Sequence, residues 1–277
     1  MIVITGATGN VGARTVELLR SQGQQVRGLS RHPSHPDDLA VDLADADAVV
    51  AALAGAKAVF AIVPAVENQL DMERNLISAA RQTGVDHYAR LSSLNADPNG
   101  KDSVSRVHGK AEQLLEESGL SYTHIRGNFF MQMFLTQAEN IVHQNVFATC
   151  AVSSAEVGFI DTRDIAAVAS IALSQDGYGG KTLRLTGPEL LTFSAAVELL
   201  SKTIGKTINY YDMDCDEYRK ALLGAGVSEY LTDHVIGLYT RIGSGSSAVT
   251  TDEVAKITGK APRSFQTFAS DYADKFR

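Results

Sequence analysis

The sequence predicts an α/β fold, a doubly wound parallel sheet followed by a smaller, mainly helical C-terminal lobe. Over more than half of the 277 residues, apolar runs typical of buried strands alternate with amphipathic helical patterns. This alternation places helices on both faces of a parallel sheet. After residue 211 the patterns are mostly helical, which predicts the helical lobe. A composition of 44% hydrophobic and 21% charged residues is typical of a globular chain with a sizeable core.

The first elements are an apolar strand at 2–4, a glycine-rich turn and an amphipathic helix that starts near Val11. A second strand at 25–30 follows at the distance of a βαβ unit. In this context the three glycines have separate roles: one permits a tight turn, one lets the backbone approach a pyrophosphate, and one lets helix and strand pack closely. The helix N-terminus presents free N–H groups to the anion. We predict a Rossmann-type dinucleotide site whose loop comprises Gly6, Thr8, Gly9, Asn10, Val11 and Gly12.

The later elements follow in the same alternating order. A short strand near 40–43 and strands at 58–63, 87–91 and 121–125 bring the parallel sheet to six strands, with helices at 44–54, 70–83 and 104–118 between them. Further helices are predicted at 129–142, 162–174 and 192–203, with Thr162 as an N-cap, and short strands at 157–160, 182–185 and 208–211. The last helices are predicted at 214–223, 227–242, 250–257 and 264–276, and the aromatic residues of the final one are spaced for core packing.

This pattern predicts two domains. Residues 1–150 form the dinucleotide-binding domain, to which parts of 151–205 return. Residues 206–277 form a substrate lobe, with insertions from 128–160 and 186–205. The Gly-Ser stretch at 243–247 is interpreted as a plain connector.

The end of the second strand indicates which dinucleotide is bound. NAD-selective sites place an acidic residue there, whereas a basic residue accommodates the 2′-phosphate of NADP. This strand ends in Ser30 and Arg31, with no acid before Asp37. The guanidinium of Arg31 can hold a phosphate with a two-pronged, charge-assisted hydrogen bond, and Ser30 can add a donor. We therefore predict NADP as the cofactor, with NADPH preferred over NADH; the alternative is that Arg31 is a solvated loop cation.

Composition and charge exclude several other classes of partner. A net charge of −7 argues against nucleic acid bound through a broad basic surface. No segment approaches the ~20 apolar residues of a membrane span, and a strand that starts at Ile2 leaves no room for a signal peptide, so no membrane association and a cytoplasmic location are expected. Cys150 and Cys215 match no metal or redox spacing and are interpreted as unpaired thiols, and no metal site is predicted. Nothing in the sequence indicates an oligomeric state.

Three stretches carry a family resemblance: ITGATGNVG at 4–12, RGLSRHP at 27–33, and GKAE at 109–112 with SGLSYTHIRGNFFM at 118–131. Together they resemble the NmrA-like family of atypical short-chain dehydrogenases/reductases over nearly the whole chain. The resemblance implies a small-molecule acceptor and a C-terminal substrate lobe. It also implies that Ile62, Val63 and Pro64 run beside the cofactor. In character the chain is nearest to NADPH-dependent quinone oxidoreductases and triphenylmethane reductases, although the family also includes inert regulators that sense NADP.

The resemblance also identifies candidate catalytic positions and one departure. Ordinary enzymes of the superfamily use a Tyr four residues before a Lys, with a Ser after a preceding strand. Here Lys110 is present and Ser92 or Ser93 follows the strand where the Ser belongs, but Arg106 stands in the Tyr position. Because a guanidinium stays protonated, it cannot relay a proton as tyrosine does. Lys110 is expected to hydrogen-bond the nicotinamide ribose and Ser92 to lie at the cofactor; the alternative for Lys110 is an exposed cation on a solvated helix face.

The residues after the strand at 121–125 are candidates for the acceptor site. Asn128, Phe129 and Phe130 follow the carboxyl end of this strand, where ligands bind in open α/β sheets. We expect them to cover the nicotinamide or the acceptor, with core packing as the alternative for the two phenylalanines.

Two hypotheses of function follow. The first is an NADPH-dependent oxidoreductase that transfers hydride to a quinone or a similar conjugated acceptor, bound between the sheet and the helical lobe, since such acceptors need no tyrosine acid. The alternative is a non-catalytic NADP-binding redox sensor of the NmrA type that docks a partner protein. An epimerase or dehydratase acting on nucleotide sugars is disfavoured, because it relies on the missing proton donor.

Overall fold

The computed structural model describes residues 1–277 and contains eleven strands and eleven α-helices. The strands are β1 Ile2–Thr5, β2 Val26–Ser30, β3 Leu39–Ala40, β4 Ala58–Ala61, β5 His87–Ser93, β6 Tyr122–Gly127, β7 Val146–Thr149, β8 Glu156–Val157, β9 Lys181–Leu185, β10 Leu191–Thr192 and β11 Asn209–Asp212. The helices are α1 Asn10–Ser21, α2 Ala46–Leu53, α3 Gln69–Thr83, α4 Ser103–Glu117, α5 Ala138–Gln144, α6 Thr162–Ser174, α7 Phe193–Ile204, α8 Cys215–Gly224, α9 Glu229–Gly243, α10 Glu253–Thr258 and α11 Phe265–Asp271. Short 3-10 helices lie at Met131–Gln137 and Ala273–Lys275.

Seven strands form one sheet in the order β3-β2-β1-β4-β5-β6-β9, and the strand order reverses beside β1. The pairs of β1 with β2 and β4, of β2 with β3, and of β4 with β5 are all parallel. The predicted doubly wound Rossmann-type fold is therefore confirmed. The sheet has seven strands rather than the predicted six, because β9 returns to lie beside β6, where the Gly180 N–H donates to the Tyr122 carbonyl at 2.7 Å.

The chain divides into two compact units. The first comprises residues 1–101, 105–126 and 165–184, and the second comprises 102–104, 127–164 and 185–277. The core of the first unit is aliphatic: Val3, Leu29, Val59 and Leu76 pack together on the face of the sheet that α2 and α3 cover, with the buried Tyr88 beside them. None of the helices in the structure is long and apolar enough to cross a membrane.

The second unit has an aromatic core. Phe134 is fully buried, stacks on Phe147 with ring centroids 4.5 Å apart, and meets Phe265 edge-on at 4.8 Å. Phe268 and Phe276 are also fully buried, so the predicted core role of the C-terminal aromatic residues is confirmed. These rings supply a large buried area together with favourable edge-to-face contacts.

Three local predictions differ from the structure. The predicted helix at 129–142 is a 3-10 helix followed by α5, and the short strand β7 just after it is missing from the prediction. Thr162 is the first residue of α6 rather than its N-cap, because the preceding Asp161 side chain accepts the Arg163 N–H at 2.9 Å. The connector at 243–247 is also more than a spacer. Ser247 is buried, and its carbonyl accepts the Gly158 N–H at 3.1 Å.

Candidate functional site

The glycine turn between β1 and α1 has the geometry that the spacing predicts. Gly6 adopts a φ of +60°, a left-handed conformation that favours glycine. A Cβ added to Gly12 would lie 2.2 Å from the Gly6 carbonyl oxygen, so only glycine lets the helix start this close to the turn. Gly9 precedes α1 and makes no side-chain cap, and the first turn of the helix contains no acidic residue. The N–H groups of this first turn therefore lack intrahelical acceptors and suit an anion.

A cleft of about 530 Å³ opens at the carboxyl ends of β1, β2 and β4 in the first unit. Seven of the predicted cofactor residues line it: Gly6, Thr8, Gly9, Ser30, Arg31, Val63 and Pro64. Asn10, Val11 and Gly12 belong to the first turn of α1 and do not line it, and Val11 is buried. Ile62, which the family resemblance also places beside the cofactor, lines the cleft as well. The sequence prediction missed the rest of its apolar wall, which the strand ends and the start of α3 bring together: Leu29, Val41, Leu43, Val66 and Met72.

Arg31 is the cation of this cleft. It is exposed, and no carboxylate of the chain lies within ion-pair distance of its guanidinium. The two acidic residues that follow in the loop are engaged elsewhere, Asp37 with His35 and Asp38 with Arg20. A glycine cradle that a Cβ would fill and an unpaired guanidinium together fit the phosphate groups of a dinucleotide.

Ser92 lies outside this cleft. It is 3% exposed, and its hydroxyl donates to Glu112 Oε1 at 2.6 Å. Glu112 also forms an ion pair with Arg126 and raises the pKa of that guanidinium through their hydrogen bond. Ser92 occurs on β5 in alternation with two other buried residues, so its side chain points into the protein toward α4. Ser92 is not among the residues that line the cleft, and its contact with the cofactor stays a prediction.

A fully buried ion pair joins β5 to α3, two residues before Ser92 on the strand. Arg90 is fully buried and donates to Glu73 Oε1 from Nε at 3.1 Å and from Nη2 at 2.7 Å. His108 of α4 is half-buried, with its Nδ1 3.2 Å from Arg90 Nη1. Burial raises the pKa of the neighbouring Tyr88, and the negative charge of Glu73 adds to this effect. The sequence prediction missed this network.

Helix α4 carries the two positions that the family resemblance singled out. Lys110 is exposed and has no ion-pair partner, and it does not line the cleft. Arg106 is also exposed, and its guanidinium donates to the Gly100 carbonyl at 2.9 Å and to the Lys101 carbonyl. The arginine in the usual tyrosine position therefore holds the loop that precedes α4.

The three acceptor-site candidates lie in the second unit. Asn128 is buried, and both ends of its amide are engaged: Nδ2 donates to the Ser247 carbonyl at 2.9 Å and Oδ1 accepts the Phe129 N–H at 2.9 Å. Phe129 is buried edge-on against Phe193 at 5.3 Å, which favours the core alternative for this ring. Phe130 is half-buried and forms an isolated parallel bridge with Ile160.

These features define the first unit as a dinucleotide-binding α/β domain with its anion site on a glycine loop. The sequence model of the NmrA-like family matches residues 1–257, and the chain belongs to that family. The family predicted from the motifs is thereby confirmed.

Three relatives illustrate what the chain is similar to. An NAD(P)H azoreductase of Xenophilus azovorans is 32% identical over 284 residues, which cover 100% of this chain and 99% of the relative. The structure of an NADPH-dependent quinone oxidoreductase from Escherichia coli, complexed with NADPH, matches with a TM-score of 0.87 at 26% identity and covers 98% of this chain and 99% of that chain. The triphenylmethane reductase of Citrobacter sp., complexed with NADP(H), matches with a TM-score of 0.84 at 22% identity over 98% of this chain and 99% of that chain, and shares the fold.

Proposed function

We propose that this protein is an NADPH-dependent oxidoreductase that transfers hydride to a quinone or a similar conjugated acceptor. The observation that carries the proposal is Arg31, an exposed guanidinium without an acidic partner in the cleft at the end of β2. An acid at this place would repel a 2′-phosphate, whereas a guanidinium binds it. The relatives named as NADPH-dependent or complexed with NADP(H) support the same cofactor.

We assign different residues to different parts of the cofactor. Arg31 and Ser30 hold the 2′-phosphate side of the nucleotide. The pyrophosphate lies against the glycine turn and the first turn of α1, which comprise Gly6, Thr8, Gly9, Asn10, Val11 and Gly12. Val63 and Pro64 flank the cofactor at the end of β4. When bound, NADPH supplies a hydride equivalent. We assign Lys110 to the nicotinamide ribose, since it is exposed and has no internal partner.

The nature of the acceptor follows from Arg106. A guanidinium that holds a loop cannot act as an acid, so the chain lacks the usual proton donor for alcohol chemistry. An electron-poor conjugated acceptor takes a hydride readily and then takes its proton from solvent. The balanced reaction consumes NADPH, one proton and a quinone and yields NADP⁺ and the hydroquinone. Relatives named as an azoreductase and a quinone oxidoreductase support this class of acceptor, and we assign the second unit, including Asn128 and Phe130, to acceptor binding.

The test is a panel of acceptors mixed with the purified chain and NADPH, with the loss of the reduced nicotinamide absorbance as the readout. Benzoquinones, naphthoquinones and an azo dye are expected to be reduced, and an aliphatic ketone is the matched acceptor that is not. Tight NADPH binding without oxidation by any acceptor would contradict the proposal and support the sensor alternative, which the reductase names of the relatives do not favour. Reduction of the ketone as fast as the quinones would contradict the acceptor class.

A further inference from the structure

We propose that the buried carboxylate of Asp38 is a positioning residue for cofactor selectivity, because it fixes the loop that carries Arg31. This β2–β3 loop comprises residues 31–38. The proposal rests on the proposed function, since it takes Arg31 as the contact to the 2′-phosphate. It adds a residue that lies outside the cleft and acts only through the position of Arg31.

The β2–β3 loop has one buried anchor. Every residue from Arg31 to Ala40 is exposed except Asp38, whose side chain is 5% exposed. The strand β3 that follows is only two residues long and exposed, so its pairing with β2 adds little burial. Pro33 and Pro36 restrict the backbone of the loop but attach it to nothing. The position of Arg31 therefore depends on Asp38 more than on any other residue of the loop.

The Asp38 carboxylate ties the loop to two other elements at once. Its Oδ1 accepts the Gly28 N–H of β2 at 2.8 Å and the Arg20 Nη2 of α1 at 2.5 Å. The same Arg20 nitrogen donates to the Val26 carbonyl at 3.2 Å, which holds the guanidinium in place. Hydrogen bonds to an ionised and shielded carboxylate are among the stronger ones in proteins.

Gly28 supplies the space that this carboxylate occupies. A Cβ added to Gly28 would lie 2.6 Å from Asp38 Cγ and 2.7 Å from the Cβ of Ala7 in the glycine turn. The Ala7 N–H in turn donates to the Leu29 carbonyl at 3.1 Å. The glycine turn, β2 and the β2–β3 loop are thus packed against one another at a single point, and that point sets the distance between the pyrophosphate and the 2′-phosphate contacts.

The same bonds favour NADPH through the order of the loop. Asp38 does not line the cleft, and its charge is paired with Arg20. A guanidinium on a loosened loop would lose conformational entropy each time it bound a phosphate. NADH has no 2′-phosphate for Arg31 to bind, so the Asp38 anchor favours NADPH and leaves the affinity for NADH nearly unchanged.

A double-mutant cycle on the full chain tests the proposal, with dissociation constants for NADPH and NADH measured by titration. Asp38→Ala is expected to weaken NADPH about five- to tenfold and NADH less than about twofold. In the Arg31→Ala background the same substitution is expected to change NADPH affinity less than about twofold, because Asp38 acts through Arg31. Asp37→Ala is the matched control: it removes a neighbouring exposed carboxylate, 3.7 Å from His35, and should change neither constant.

Two further variants test the same proposal if Asp38→Ala does not fold. Asp38→Asn keeps an acceptor for the Gly28 N–H, and Arg20→Gln removes the partner cation from α1; each is expected to shift selectivity in the same direction by a smaller factor. An equal loss of NADPH and NADH affinity, or an undiminished loss in the Arg31→Ala background, would overturn the proposal. If Arg31→Ala alone leaves the ratio of the two constants unchanged, the cofactor contact in the proposed function is wrong. If Arg31→Ala shifts the ratio and the Asp38 and Arg20 variants do not, only the positioning role is wrong.

Discussion

The polar residues at two strand ends of the same sheet differ in whether the chain gives their side chains a partner. At the end of β2, Ser30 and Arg31 line an open cleft, and the guanidinium has no partner within the chain. At the end of β5, Ser92 is buried and donates its hydroxyl to Glu112, which forms an ion pair with Arg126. Both strands end at the same edge of the sheet, where open α/β sheets bind ligands.

The difference shows that the place of a polar residue at a strand end does not by itself make it part of a site. What separates the two ends is whether the neighbouring elements satisfy the side chain. The β5 end has α3 and α4 against it, with Glu73 and Glu112 supplied from those helices. The β2 end has only an exposed loop and a two-residue strand beside it. The chain itself therefore satisfies Arg90 and Ser92 on β5, whereas it leaves Arg31 at the end of β2 open to a ligand.

The largest effect on stability is expected from the buried ion pair between β5 and α3. Glu73→Ala leaves the fully buried Arg90 without its counter-charge, which should cost about 3–5 kcal/mol in the free energy of unfolding. Urea unfolding measures this. Asp71→Ala breaks an exposed pair with Arg74 on the same helix and is the control, with an expected loss of less than about 1 kcal/mol. Similar losses for the two variants would contradict the buried role.

Ser92→Ala tests the β5 end directly. Loss of a buried hydrogen bond to a charged acceptor should lower the free energy of unfolding by about 1.5–3 kcal/mol. Because Ser92 lies outside the cleft, the dissociation constant of NADPH should stay within about twofold of wild type. A variant of unchanged stability that binds NADPH much more weakly would place Ser92 at the cofactor after all.

Gly12→Ala probes the glycine turn that leads to the cleft. The added methyl group meets the Gly6 carbonyl at 2.2 Å, so the turn and the start of α1 must move apart at a cost of about 1–3 kcal/mol. Affinity for NADPH and NADH should fall together, since both share the pyrophosphate. Gly224→Ala is the control, because a Cβ there meets nothing within 4 Å. Loss of NADPH affinity alone would be inconsistent with a pyrophosphate role.

The smallest effect concerns pH. His124 is fully buried on β6, and burial lowers its pKa against the opposing influence of Glu112 and Glu116. The unfolded chain therefore binds more protons than the folded one, so this contribution to stability is complete above about pH 6.5 and declines as the pH falls toward the lowered pKa. Wild type should lose stability between pH 7 and pH 5 more steeply than His124→Asn. Parallel pH curves would contradict the assignment.

Much of the cofactor cleft was predictable because its signals are local. The glycine spacing, the start of α1 and the sequence at the end of β2 lie within 31 residues, and each depends on backbone geometry or charge at one place. The rest of the apolar wall, including Val41, Val66 and Met72, was harder to predict, because nothing in an apolar run tells a core residue from one that lines a cleft.

The buried hydrogen-bond networks of Arg90 and Ser92 could not be predicted for a different reason. Arg90 and Glu73 stand on separate elements 17 residues apart, and charged side chains are rarely fully buried. The hydrogen bond from Ser92 to Glu112 spans 20 residues in the same way. The seventh strand, β9, was not predicted to join the sheet, because the chain returns to the sheet only after residues 127–164, which belong to the second unit.

The central claim is that the unpaired guanidinium at the end of β2 selects NADP, and titration of Arg31→Ala with NADPH and NADH tests it most directly. Loss of a charge-assisted bond should weaken NADPH by about 1.5–3 kcal/mol, or roughly ten- to more than a hundredfold. NADH affinity should change less than about twofold, because the ribose 2′-hydroxyl carries no charge. An equal loss for both cofactors, or no loss for either, would contradict the claim.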